Sequence, residues 1–165
     1  MITVRPATPS DEEPLGRFGA ALMRQHYESD PRRFIRVEHP EKGYGRFLVS
    51  QIQVPTSLVM VAENAGQVVG YVYADVEPTN WMELRGPCGV VQDVYVDAAA
   101  RSQGAGRALV HAAIEWIGSR GFSQVVLMTK TRNEHAQNLF TALGFRKTMI
   151  EMTLDQDPKE TRDDG

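Results

Sequence analysis

The sequence holds a single cysteine, Cys88, so no disulfide can staple the chain to itself, and no Cys/His spacing suited to zinc occurs. Cys88 reads as a small core residue of a protein kept in a reducing compartment. No apolar run approaches the roughly 20 residues of a membrane span. The opening Met1-Ile2-Thr3-Val4-Arg5-Pro6 lacks the basic-then-apolar order of a secretory leader. The expectation is a soluble, cytoplasmic protein without a metal. Charge of one sign is also scarce: a formal net charge of −3 offers no broad cationic field for nucleic acid or an anionic membrane. Internal repeats and low-complexity linkers are missing too. What remains is the material of one core, 42% hydrophobic in 165 residues, because two independent cores would each be unusually small. The domain is expected over residues 1–154, with an acidic, apolar-poor tail over 155–165 that frays.

Ile2 to Ala7 alternates as a first strand. Ser10 and Glu13 stand in capping-box spacing before a helix whose Leu15, Phe18, Gly19 and Leu22 form one stripe. His26 to Pro40, rich in charge, aromatics and proline, reads as a shaped loop. Tyr44, Phe47, Leu48 and Ile52 mark a second helix that ends before Pro55. Ser57 to Glu63 and Gln67 to Val76 are β-rich runs joined by Asn64-Ala65-Gly66, a hairpin pattern. A strand over Gly89 to Asp97 leads into a tight turn and an amphipathic helix with Ala105, Leu109, Ala112, Ala113, Trp116 and Ile117 inward and Gly121 as its C-terminal cap. Gln124 to Thr129 gives a short strand. Asn133 to Leu143 gives a last helix with Ala136, Leu139, Phe140 and Leu143 inward, and Phe145 to Leu154 a closing strand. The order is β-α-α-β-β-β-α-β-α-β, an α/β domain with a mixed sheet between two helical layers and parallel strands flanking the Gly89 to Arg120 crossover.

Chemistry concentrates in Val94-Tyr95-Val96-Asp97-Ala98-Ala99-Ala100-Arg101-Ser102-Gln103-Gly104-Ala105-Gly106-Arg107. A strand enters a turn and two glycines open a helix, so unpaired backbone N–H groups face outward at the positive end of the helix dipole. Glycine lets a pyrophosphate approach those donors, and Arg101 and Arg107 can add charge-assisted contacts. The same glycines would also serve a tight turn alone. A dinucleotide fingerprint requires G-x-G-x-x-G with an acidic residue further on, whereas the order here is R-x-x-G-x-G, which disfavours a nicotinamide cofactor.

Arg101-Ser102-Gln103-Gly104-Ala105-Gly106 resembles the pyrophosphate motif Q/R-x-x-G-x-G/A of the GNAT acetyltransferases. Asn133 to Phe145 resembles that family's second signature, N-x-x-A-x-x-x-Y-x-x-x-G-F, with Phe140 at the tyrosine. The two stand in the family's order about 30 residues apart, and the resemblance is clear over roughly residues 57 to 154. It implies a GNAT-like three-layer domain that uses acetyl-coenzyme A to acetylate a primary amine of a small molecule or peptide. It also implies that backbone groups of Val94, Tyr95 and Val96 bond the pantetheine arm and that Arg101, Ser102, Gln103, Gly104, Ala105, Gly106 and Arg107 cradle the pyrophosphate. Asn133, Ala136 and Phe140 would face the arm. The plainer readings stay open: Asn133 as a helix cap, with Thr131 and Glu134 in capping-box spacing, and Ala136 and Phe140 as core. A homodimer is a further implication.

Acetyl transfer needs a neutral amine, a polarised carbonyl and a thiolate able to leave. An alkylamine with a pKa of about 10.4 must lose a proton at neutral pH. The Val94 N–H is the expected oxyanion donor. Many GNAT members carry a glutamate where Gln92 stands, and Gln92 cannot act as a base. Asp93 is the candidate, although strict strand alternation points it to the other face unless a bulge intervenes. Phe140 cannot protonate the leaving thiolate, which a coenzyme A thiol pKa of about 8.5 makes tolerable. Tyr71, Tyr73 and Tyr95 are the phenols on neighbouring strands. Acceptor recognition would fall to the loop carrying His26, Tyr27, Asp30, Arg32, Arg33 and His39, and to the link carrying Glu77, Trp81, Glu83 and Arg85. A coenzyme A-binding module with weak or lost catalysis is the rival reading.

Overall fold

The alternation of Ile2 to Pro6 becomes the edge strand of a five-stranded sheet, in a computed structural model that describes residues 1–156. In chain order the elements are β1 (Ile2–Pro6), α1 (Glu12–Ser29), α2 (Glu41–Gln51), β2 (Ser57–Asn64), β3 (Gln67–Glu77), β4 (Cys88–Val96), α3 (Ala105–Ser119), β5 (Val125–Leu127) and α4 (Glu134–Ala142). Spatial order follows sequence order, antiparallel from β1 to β4 and parallel between β4 and β5. The α3 crossover joins the parallel pair, as expected of a βαβ unit.

Apolar periodicity builds the two layers around the sheet. Leu15 and Phe18 of α1 and Leu48 of α2 are buried against Val59, Val61 and Tyr71 on one face. Ala105, Leu109, Ala113 and Ile117 of α3 are buried against Ala62, Val72, Ala74 and Val91 on the other. Ala112 and Trp116, expected inward, are only half-buried, while Val110 is fully buried. Gly121, at φ +85°, ends α3 as expected, with the Phe122 N–H returning to the Ile117 carbonyl.

Four expectations are corrected. The capping box is Thr8 with Asp11, two residues before the Ser10–Glu13 pair: the Thr8 N–H donates to Asp11 Oδ2 at 2.7 Å. Asp11 is chosen because the Arg5 guanidinium bonds both its oxygens, at 2.8 and 2.9 Å, and holds its carboxyl below the ordinary range. Helix α1 continues through His26 to Ser29, so the loop starts at Asp30. Pro31 ends the helix by forcing its predecessor out of the helical region, and charge density at His26 does not. Asn133, and not Thr131, is the N-cap of α4: its Oδ1 accepts from the Ala136 N–H at 3.1 Å.

The fourth concerns the closing strand over Phe145 to Leu154. No strand follows α4 among the described residues. The β5 edge is three residues long, and the segment is instead held to the α1–α2 loop by Arg33 with Glu151 and by Arg32 with Asp155 at 3.4 Å. Met149, Ile150, Met152 and Leu154 are left at least 80% exposed. The tail expected to fray lies outside the described residues beyond residue 156.

Candidate active site

Strands β4 and β5 bond only where Gly89–Val91 faces Val125–Leu127. Beyond Val91, β4 runs on to Val96 while β5 stops, and the two part. The parting leaves a cleft of about 130 Å³. Val91 to Val94 form one wall, Leu127 to Lys130 with Asn133, Ala136 and Phe140 of the last helix form the other, and Leu22, Gln25 and His26 of α1 close one end. Val94, Asp93, Asn133, Ala136 and Phe140, singled out by sequence, therefore meet at one place.

A β-bulge sets which groups face this cleft. Tyr73 opposes Asp93 and Ala74 opposes Val91, so Gln92 is an extra residue without a partner of its own. Val91 lies against α3, yet Asp93 turns to the α1–α2 face. The amides shift with the side chains. The Gly89 N–H bonds the Gln124 carbonyl on the β5 side, and the Asp97 N–H bonds Val69 on the β3 side. Counting back from Asp97 by strand alternation, the Val94 and Val96 N–H groups point away from β3 to the side where β5 has ended.

Asp93 Oδ2 accepts hydrogen bonds from the Tyr44 hydroxyl and, at 3.1 Å, from the Tyr71 hydroxyl. Its Oδ1 is left for a third donor. Burial pushes the Asp93 carboxyl above the ordinary carboxylate range, against the two hydroxyls, which favour the ionised form. Burial and the adjacent carboxylate likewise push both phenols up, so neither is an acid at neutral pH. Tyr44 reaches this point because α1 has a glycine under its ring: a Cβ on Gly19 would stand 1.9 Å from Tyr44 Cδ1. Tyr73 bonds Gln51, and the Tyr95 ring stacks on Phe18 at 5.4 Å, outside the cleft lining. The exposed Gln92 side chain donates to Asp75 at 3.1 Å and to Glu77 at 3.3 Å.

His26 and Lys130 complete the polar lining. His26 Nδ1 lies 2.8 Å from the Leu22 carbonyl oxygen, which can only accept, so in the neutral ring Nδ1 carries the proton and Nε2 is the free acceptor. Lys130 donates to the Gln25 carbonyl at 3.4 Å, and burial lowers its pKa. From sequence, His26 is placed in the acceptor-recognising loop and not on α1, and Lys130 is passed over. The stripe Leu15, Phe18, Leu22 continues with period four to His26, and that continuation would have found it.

At the far end of β4 a short 3₁₀ turn, Ala98–Ala100, leads to Arg101, whose Nε donates to the Val96 carbonyl at 3.3 Å. Gly104 caps α3 at φ +88° and supplies no side-chain acceptor, so the amides of Ala105, Gly106 and Arg107 open outward. Arg101 and Arg107 are exposed beside them. Gln103 holds the turn, donating to the Ala99 carbonyl and accepting from Asn64 at 3.0 Å. Ser102, at φ +63°, shares the left-handed bend, and Ala105 is buried under it. Gly106 packs between Val96 and Leu139, keeping the turn close to the last helix. A wider groove of about 560 Å³ lies between the start of α1 and the β2–β3 turn, where Arg17 pairs with Asp97 and Glu13. It lies apart from the bulge and the parted strands. Among the described residues no group of His, Cys, Asp and Glu suits a metal ion, and no helix is long and apolar enough to cross a membrane.

Comparison with known proteins bears on the family and the fold. The profile of the "Acetyltransferase (GNAT) family" matches residues 20–145. A mycothiol acetyltransferase of Amycolatopsis mediterranei is 31% identical over 149 residues, 82% of this chain, and the chain spans 49% of that relative's length. The tetramutant of the BH1408 protein from Bacillus halodurans superposes with a TM-score of 0.81 at 22% identity, over 93% of this chain and 99% of that one. The aminoglycoside N-acetyltransferase AAC(6')-Iy in complex with CoA superposes with a TM-score of 0.73 at 16% identity, over 94% and 95% of the two chains. At these identities the two structures speak to the fold.

Proposed function

The chain belongs to the acetyltransferase (GNAT) family, and from that premise we propose that it transfers an acetyl group from acetyl-coenzyme A to a primary amine of a small molecule or peptide, by direct attack within a ternary complex. One observation carries the reading: past the Gln92 bulge β4 leaves β5, and the Val94 N–H and the Asp93 carboxyl come to border the same cleft. The thioester supplies the activated acetyl group. The outward amides from Gly104 to Arg107, with Arg101 and Arg107, hold the pyrophosphate, and Ser102 and Gln103 shape their turn. The outward backbone groups of Val94 and Val96, with Tyr95 between them paired to β3, bond the pantetheine arm, and Asn133, Ala136 and Phe140 stand opposite. Residues 1–154 act as one acetyltransferase domain.

The Val94 N–H donates to the thioester carbonyl oxygen as negative charge builds there. Asp93 Oδ1 accepts the proton of the attacking amine. Its raised pKa makes it a better-matched base than an ordinary carboxylate. Tyr95 takes no part in the step, since its ring is packed on Phe18 and its N–H and carbonyl, by the alternation that turns Val94 and Val96 outward, face β3. No phenol lies free in the cleft, so the thiolate leaves without concerted protonation. The tightness of the cleft supplies proximity.

The reading is tested by coenzyme A release from acetyl-coenzyme A with a panel of polyamines, amino acids, aminoglycosides and peptide N-termini, corrected for thioester hydrolysis. At least one amine is expected to give turnover well above hydrolysis. Binding of acetyl-coenzyme A with silence across the panel would favour the rival binding module, which the amide of Gln92 at the usual base position supports. The protein is further proposed to be cytoplasmic and homodimeric, the exposed Met149, Ile150, Met152 and Leu154 being the natural contact. Light scattering is expected to give twice the 18.4 kDa chain mass, and a monomer at micromolar concentration would refute the pairing.

A further inference from the structure

Lys130 stands in the connection between β5 and α4 and reaches α1 at the end of the cleft that Leu22, Gln25 and His26 close. Among the described residues its only hydrogen-bond acceptor is the neutral Gln25 carbonyl, and no carboxylate pairs with it. Lys42 and Lys147, by contrast, are exposed to solvent. The same lining that contains Lys130 contains the Val94 edge, the Asp93 carboxyl and the His26 ring, which presents Nε2 as an acceptor. A primary amine, two proton acceptors and the oxyanion donor thus line one cleft.

We propose that Lys130 is a site of self-acetylation: with no external amine present, its Nζ takes the acetyl group from acetyl-coenzyme A bound in the cleft. The inference rests on the placement of the thioester proposed above. Desolvation acts in the same direction, because it lowers the Lys130 pKa and enlarges the fraction of neutral amine. In the step the Nζ lone pair attacks the thioester carbonyl carbon, the C–N bond forms, the C–S bond breaks and coenzyme A departs as thiolate. Of the three ammonium protons, one stays on the amide, one ends on the thiolate, and one passes to solvent through Asp93 or His26 Nε2. The product side chain is neutral and longer by an acetyl group. It fills the α1 end of the cleft beside Asp93 and His26, where the attacking amine must stand, so the modification turns the enzyme down when acceptor is scarce.

The test incubates the full chain with acetyl-coenzyme A and no amine, follows the intact mass, and maps acetylated peptides, with acetyl-coenzyme A binding measured separately by calorimetry. Lys130 is expected to be acetylated more than tenfold faster than Lys42 or Lys147 in the folded protein, with the preference lost in urea. Lys130→Arg is expected to keep cofactor binding and lose the fast acetylation. Binding without preference for Lys130 overturns the self-acetylation and leaves the proposed function standing. No binding at all overturns both.

Discussion

Gly104→Val is expected to weaken acetyl-coenzyme A binding more than tenfold, about 1.4 kcal/mol or more. Gly104 sits at φ +88°, a region that β-branched residues avoid, and it is the cap from which the α3 amides open. No protein atom lies within 4 Å of the position a Cβ would take there. The added side chain therefore projects into the space from which a phosphate must approach, and the protein itself is not what it hits. Strain and obstruction can be separated. Asparagine tolerates positive φ, so Gly104→Asn should fold with nearly unchanged stability and still bind weakly. Calorimetry with the folded state checked by circular dichroism decides. Unchanged affinity in both folded variants would remove the pyrophosphate from this turn.

Asp93→Asn is expected to lower kcat by about 10²- to 10³-fold while leaving acetyl-coenzyme A affinity within a factor of two. The amide retains an acceptor for Tyr44 and Tyr71 but cannot take the amine's proton. In the parent protein the acid limb of kcat/KM should lie above the ordinary aspartate value of about 3.9, because burial raises this carboxyl, and the limb should vanish in the variant. Stability supplies an independent reading. Folding raises the Asp93 pKa, so between the unfolded and folded values the native chain holds more protons than the unfolded one. Stability contributed by this group therefore falls as pH rises through that window and stays lower above it. Asparagine mimics the protonated acid, so the variant should be no less stable than the parent at pH 7 in urea titration. A marked loss at pH 7 would mean that the ionised carboxylate is what secures Tyr44 and Tyr71.

The pattern of success follows from what each feature depends on. The α3 stripe, the Asn64-Ala65-Gly66 hairpin and the Gly104 turn are local, governed by periodicity and by residues within a few positions, and all were legible in sequence. Asp93 was ambiguous because its direction depends on whether one residue of β4 lacks a partner on β3, which is a property of two strands and not of one. Lys130 was missed, and His26 was named on a loop and not on a helix, for a similar reason: each becomes chemical only when α1 and the β5–α4 connection meet across the cleft. The expected last strand alternates well enough in sequence. Alternation needs an edge to satisfy, and the three residues of β5 are shorter than the segment that would have paired with them.

Gln92 can be viewed as a phase shift in β4. On its near side the odd-numbered residues, Gly89 and Val91, lie on the α3 layer, and on its far side the odd-numbered Asp93 and Tyr95 belong to the opposite layer. One strand thus serves as scaffold with its first half and as working edge with its second, and the changeover occupies a single residue. Deleting Gln92 would bring the halves back into step. Asp93 would then follow Val91 directly, so alternation would keep its carboxyl on the α1–α2 face and the Val94 N–H away from β3: the unpaired residue supplies the local bend where β4 leaves β5, and the base and the oxyanion donor keep their directions without it.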